Sequence, residues 1–311
     1  MGSDAGIRSE RRETRSKRPG ADAGAGDRRD DRVLVFTRIV AVVVVVILFT
    51  AWFALYLHPG ETDRRFAWTI SSRMTAMLMG AGYGSAILFY LRVLFGRRWH
   101  RVALGFIPTA VFTWLLLAAT FLHWDKFRHG SFPFLLWLWI YLITPVLVPA
   151  VWLLNRRRDP GTSEDSDTVL TGAIKVVVAG TGLLLLAVAA VLFVRPPALI
   201  GIWPWPLTPL TARAVAGFVA LPGVAWLAIA ADGRWSAGRA AVQTVALGVA
   251  LLLGAVVRQW SEFDHSNPLS YIYTAGLVGT LVGLVALYVF EERAVVRDRR
   301  QQSPPAAAGP P

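Results

Sequence analysis

Residues 33–57 run almost without charge; a single charged side chain, Arg38, stands near the start. An apolar run of about 18 residues or more reads as a membrane-spanning helix, because a helix in water keeps a polar face. Blocks of the same kind recur down the chain, separated by short polar loops. They predict helices over residues 33–57, 67–95, 102–122, 134–154, 169–194, 213–231, 240–257 and 271–290. The expected fold class is therefore an all-α membrane protein of about eight transmembrane helices. At 55% hydrophobic residues the chain exceeds the roughly 45–50% of soluble domains. The first block follows a polar stretch, residues 1–32, and is longer than the roughly 7–15 residues of a signal-peptide core, so an uncleaved anchor helix is expected.

Charge sets the expected orientation. The net charge is +12, but the basic residues gather in the tails and in alternate loops, a topology signal rather than a nucleic-acid footprint. One side holds the N-terminal tail, Arg97, Arg98 and Arg101, Arg156 to Arg158, Arg234 and Arg239, and the C-terminal tail. The other holds Arg64, Arg65, Lys126, Arg128, Arg195 and Arg258. The richer side is expected to face the cytoplasm of a bacterial cell, with both termini there. Residues 1–32 read as a disordered basic tail whose stretch 11–18 suits contact with anionic lipid. Residues 155–168 read as a cytoplasmic linker and 291–311 as a second disordered tail.

The chain also carries an internal echo. Trp124-x-x-Phe127-x-His129 and Trp260-x-x-Phe263-x-His265 stand 136 residues apart, as do the first and fifth predicted helices. Trp68 and Trp205 repeat at nearly the same spacing, 137 residues. A parallel four-plus-four repeat, residues 33–154 and 169–290, is the expectation, with the halves related about an axis along the membrane normal. Lys126 then aligns with Glu262 and Arg128 with Asp264, so the two loops are expected to attract each other as a lid.

Candidate chemistry concentrates on those outer loops. His123, His129 and His265, with Asp125 and Asp264 nearby, offer zinc or copper donors, although no tight metal-binding spacing is present. Trp124, Trp260, Trp203, Trp205 and Arg73 complete the candidate ligand-binding set. Trp203 and Trp205 sit in a proline-rich loop that either lies in the headgroup layer or caps a cavity. Pro145 and Pro149 lie below Trp137, Trp139 and Tyr141, where a helix break would open a pocket. Gly80-x3-Gly84 and Gly279-x3-Gly283 read as close-packing stripes inside the bundle. Buried acids are missing from the predicted spans, which disfavours ion-coupled transport. The chain has no cysteine, and no phosphate-binding, dinucleotide or hydrolase motif is present. No cofactor is identified.

The segments Phe66-Ala67-Trp68-Thr69-Ile70, Gly80-Ala81-Gly82-Tyr83, His123-Trp124-Asp125-Lys126-Phe127 and Trp203 through Leu210 resemble multi-pass integral membrane proteins of bacteria. That family brings no known activity and no site residues to carry over. The leading reading is a non-enzymatic permease-like or small-ligand-binding module with its site toward the outer face. The alternatives are a membrane enzyme or redox subunit using the outer histidines and aspartates, and a structural subunit of a membrane complex. The expected partners are the lipid bilayer and a protein partner or second copy, with no nucleic acid.

Overall fold

The computed structural model describes residues 31–159, 161 and 167–302. Most of the basic N-terminal tail, part of the linker and residues 303–311 lie outside this range. Among the described residues eight spans are long and apolar enough to cross a membrane; their main helices are α1 (Val35–Trp52), α2 (Arg73–Phe95), α3 (Phe106–Leu122), α4 (Phe132–Arg156), α5 (Gly172–Val194), α6 (Pro209–Asp232), α7 (Trp235–Arg258) and α8 (Pro268–Gln302). The all-helical membrane architecture expected from the apolar blocks is the one observed.

Two boundaries depart most from expectation. The second helix begins at Arg73 rather than 67, because Phe66, Ala67, Trp68 and Ile70 are buried without being helical. Thr62 fixes this segment by exchanging hydrogen bonds with the Ile70 backbone, 2.9 Å from the Ile70 N–H and 3.3 Å to its carbonyl. The expected disordered tail from 291 starts instead as helix, since α8 continues to Gln302. Two acids hold its extension: Glu291 accepts from the Thr168 hydroxyl at 2.9 Å, and Glu292 from the Trp235 indole N–H at 3.0 Å.

The helices form two runs of neighbours, α1–α2–α7–α8 and α4–α3–α6–α5, which meet where α2 and α7 touch α6. Lipid tails are as apolar as leucine, so such helices associate through close packing and interhelical hydrogen bonds rather than through escape from water. Small residues provide the close packing. A Cβ on Gly80 would lie 2.8 Å from the Tyr56 backbone nitrogen, and one on Gly84 2.5 Å from the Trp52 ring. Gly182 and Gly223 bring α5 and α6 together in the same way. The second predicted stripe behaves differently: nothing lies within 4 Å of a Cβ at Gly279 or Gly283. Among the described helices α8 packs chiefly on α7, and that stripe faces outward.

The centre of the molecule is filled. Phe218 of α6 occupies the space beside Gly82 and makes edge contacts with Tyr83 at 5.1 Å and Phe112 at 4.9 Å. Asn155, near the end of α4, ties that helix to α1. Its amide donates to Thr37 Oγ1 and to the Val151 carbonyl, each at 2.7 Å, and accepts from the Leu34 N–H at 3.2 Å. A buried amide without partners would be costly at this depth; this one is satisfied.

Loops on each face are stitched together. On the face where α1 begins (the near face), Asp31 accepts from the His100 N–H at 3.1 Å and meets the His100 ring at 2.5 Å. Asp167 accepts from the Ser236 N–H at 2.8 Å and its hydroxyl at 2.5 Å. On the far face, Arg128 N–H donates to the Ala67 carbonyl at 3.2 Å, and Asp264 N–H to the Pro204 carbonyl at 2.9 Å.

Candidate functional site

Four of the far-face candidates are engaged within their own loops. His129 stacks on Trp124 with ring centres 4.9 Å apart, and His265 on Trp260 at 5.2 Å. Asp125 pairs with Lys126 at 2.7 Å, and that hydrogen bond holds its carboxyl below the usual range. Asp264 accepts from the Ser266 N–H at 2.9 Å and its hydroxyl at 2.6 Å, which lowers its carboxyl in the same sense. Among the described residues no three His, Asp or Glu side chains converge as a metal would require.

His123 meets a partner that the sequence reading passed over. Arg213, in the first turn of α6, donates to His123 Nε2 at 2.6 Å and to the Phe193 carbonyl at 2.9 Å. Burial and the Arg213 charge both push the His123 imidazole below its ordinary value, so the ring is held neutral as an acceptor. A guanidinium in this position takes the lone pair that a metal would need. One signal was legible: Arg213 interrupts an otherwise uncharged run from Pro206 to Ala231.

The expected charge-paired lid is absent, because its charges have other partners. Glu262 reaches across to the first half and caps α2. Its carboxylate accepts from the Ser72 hydroxyl at 2.8 Å, the Arg73 N–H at 3.0 Å and the Met74 N–H at 3.0 Å. A carboxylate at a helix N-terminus satisfies orphan backbone donors and complements the helix dipole. Arg128 instead donates to the Thr62 and Phe66 carbonyls. Arg73 thus enters this arrangement through its backbone. Trp205 is 1% exposed and donates its indole N–H to Thr75 Oγ1 at 2.9 Å; Trp203 packs edge-on against it at 5.4 Å. Trp205 thus seats the proline-rich loop against the bundle, while Ile202 of the same loop stays exposed.

The space best suited to a ligand lies elsewhere, between α1 and α4 in the first half. α1 and α4 are joined near Asn155 but do not pack along their length. The gap between them is a cavity of about 230 Å³. Val44, Leu48 and Ala51 form one wall and Ile140, Leu147 and Val148 the other; Gly82, Phe112 and Phe218 form the floor. Pro145 and Pro149 lie inside α4 beside it. Proline has no N–H, so each leaves the carbonyl four residues earlier without its helix donor and loosens α4 where the gap opens.

The polar groups in this crevice are already engaged. Thr50, Thr109, Thr113 and Thr144 donate to carbonyls of their own helices at 2.7–3.0 Å. The Tyr83 and Tyr141 hydroxyls meet each other at 2.9 Å. One charged residue, Arg65, lines the far-face mouth and is paired with Glu61 at 2.7 Å. Recognition in this cavity would rest on apolar shape, with polar chemistry confined to the mouth. No family model, curated protein or solved structure matches the chain, so a functional reading rests on this geometry alone.

Proposed function

We propose that the protein is a polytopic membrane protein that binds an apolar or singly headed lipid-like ligand in the crevice between α1 and α4. The observation that carries the reading is a cavity at bilayer depth whose walls are hydrocarbon and whose hydroxyls are already hydrogen-bonded. Apolar cavities of about 150 Å³ stay dry and accept small apolar guests, and this one is larger. A ligand reaching it from the bilayer would leave a polar head near Arg65. The filled centre at Gly82 and Phe218 favours a binding module over a permease with a path between the halves.

A photoactivatable diazirine fatty acid tests this in purified protein. Adducts should concentrate on residues lining the crevice, such as Ile140 and Thr144, and Ala51→Trp should remove them. Adducts spread evenly over the exposed surfaces of α5 and α8 would mean annular lipid only and would sink the reading.

We also infer that the near face is cytoplasmic, since it holds the arginine-rich loops, and that the chain is a duplicated four-helix unit. Several matched contacts at a 136–137-residue offset support the duplication. Trp68, Phe127 and Trp137 cluster as Trp205, Phe263 and Tyr273 do, with the first two rings 5.2 Å apart in both sets. The Arg128–Ala67 and Asp264–Pro204 backbone bonds correspond, as do the Asp31 and Asp167 caps. Neighbour relations follow the same rule: α2 packs on α7 and α3 on α6. Even the Arg213–His123 pair has a counterpart in Met77 and Gln259, whose side chains meet at 3.5 Å.

A further inference from the structure

A second cavity, of about 420 Å³, opens on the near face among the ends of α2, α7 and α8 and the turn at His100–Ala103. Five arginines line it, Arg92, Arg97, Arg98, Arg101 and Arg239, against two carboxylates, Asp167 and Glu292. Both acids are already engaged: Asp167 by the Ser236 N–H and hydroxyl, Glu292 by the Trp235 indole and by Arg239 at 3.0 Å. Arg98 and Arg101 have partners of their own, so the positive field in the cavity rests on Arg92 and Arg97 and on Arg239, which shares Glu292. Arg92 and Arg239 line the cavity from facing helices, and Arg92 Nε is buried with no hydrogen bond among the described residues. With Glu292 already held by Arg239, a second anion in the cavity would offset the charge of Arg92.

We propose that this pocket binds a phosphate-bearing anion, either the headgroup of an anionic lipid or a soluble phosphate. Guanidinium forks match phosphate oxygens in pairs. The walls argue for the lipid source. Leu88 and Leu91 line the cavity below Arg92, and Phe95 beside them is 77% exposed. An acyl chain would lie along this apolar strip while its phosphate reached the arginines.

The internal echo offers a comparison within the chain. The positions 136 residues from Arg92, Arg101 and Arg239 hold Ala228, Ala237 and Ala103. Arg98 maps onto Arg234, so the corresponding corner keeps one arginine but forms without the other three, and Arg92, Arg101 and Arg239 are not required to close the helices together. This site is separate from the α1–α4 crevice, and either can fail without the other.

The test is the melting temperature of the purified protein in detergent, titrated separately with phosphatidylglycerol, phosphatidylcholine and inorganic phosphate. An anion bound only to the native state raises the melting temperature by an amount that grows with the logarithm of its concentration once that exceeds the dissociation constant. Wild-type protein should respond to phosphatidylglycerol and not to phosphatidylcholine, and added salt should weaken the response. Arg92→Gln with Arg239→Gln should weaken apparent phosphatidylglycerol affinity about tenfold or more. Because Arg239 also holds Glu292, a second variant, Arg97→Gln, changes an exposed side chain at the mouth and should weaken it in the same direction. A response to inorganic phosphate alone would assign the site to a soluble anion. Equal responses to both lipids with none to phosphate, or undiminished responses in both variants, would overturn the proposal.

Discussion

At the scale of single residues, the far face is governed by groups that find partners across the chain. Glu262 has the largest structural task, since three donors at the start of α2 depend on one carboxylate. Replacing a cap typically costs ~1 kcal/mol, up to about 2. Glu262→Ala should therefore lower the melting temperature in detergent, with Glu262→Gln losing less because it keeps an acceptor. No change for either variant would mean that water replaces the cap. His123 gives a pH signature. Its folded value is depressed by burial and by Arg213, with Lys126 adding in the same sense and Asp125 opposing. The folded state therefore prefers the neutral ring. Stability from this site is fully present above the unfolded histidine value of about 6.5 and is lost as pH falls through that value toward the lower folded one. Melting temperature followed from pH 8 to pH 5 should decline over the lower half of that range, and His123→Gln should flatten the decline. An identical slope in the variant would assign the acid sensitivity to other groups.

At the scale of elements, glycine spacing alone did not tell a packed stripe from a lipid-facing one. Gly80-x3-Gly84 and Gly279-x3-Gly283 are the same pattern, yet only the first meets another helix. Gly80→Ala must push against the Tyr56 backbone, and such overpacking costs ~1–3 kcal/mol. Gly279→Ala meets nothing and should leave melting unchanged or slightly raised, since alanine is the better helix former. Equal effects at the two sites would show that the α1–α2 contact is looser than described. The prolines of α4 were legible as a place where a helix weakens. That the gap would open toward α1 was not, because the sequence does not say which helix stands opposite.

For the whole molecule, orientation is directly testable because the chain contains no cysteine. Single substitutions can be labelled with a membrane-impermeant thiol reagent in intact cells. With the near face cytoplasmic, Lys126→Cys should react at once and Arg158→Cys only after permeabilisation. The reverse pattern would invert the topology and place the arginine pocket on the outer leaflet.

What the sequence determined by itself was the solvent and the secondary structure. Apolar blocks of spanning length admit little except helices in lipid, because every backbone donor and acceptor must be satisfied within the segment. The recurrence of Trp, Phe and His at one offset was also visible there. The tertiary structure alone decided which charges meet. Lys126 and Glu262 are complementary in sign, but Glu262 faces the open N-terminus of α2 and Lys126 faces Asp125. The histidines looked like a cluster because their loops match, yet each ring rests on its own tryptophan or on Arg213. Both cavities join elements far apart in sequence, α1 with α4 and α2 with α7 and α8. Helix association in a bilayer is set by the fit of small residues and by interhelical hydrogen bonds. Such fit is a property of paired surfaces, and a single chain read in order does not display the pair.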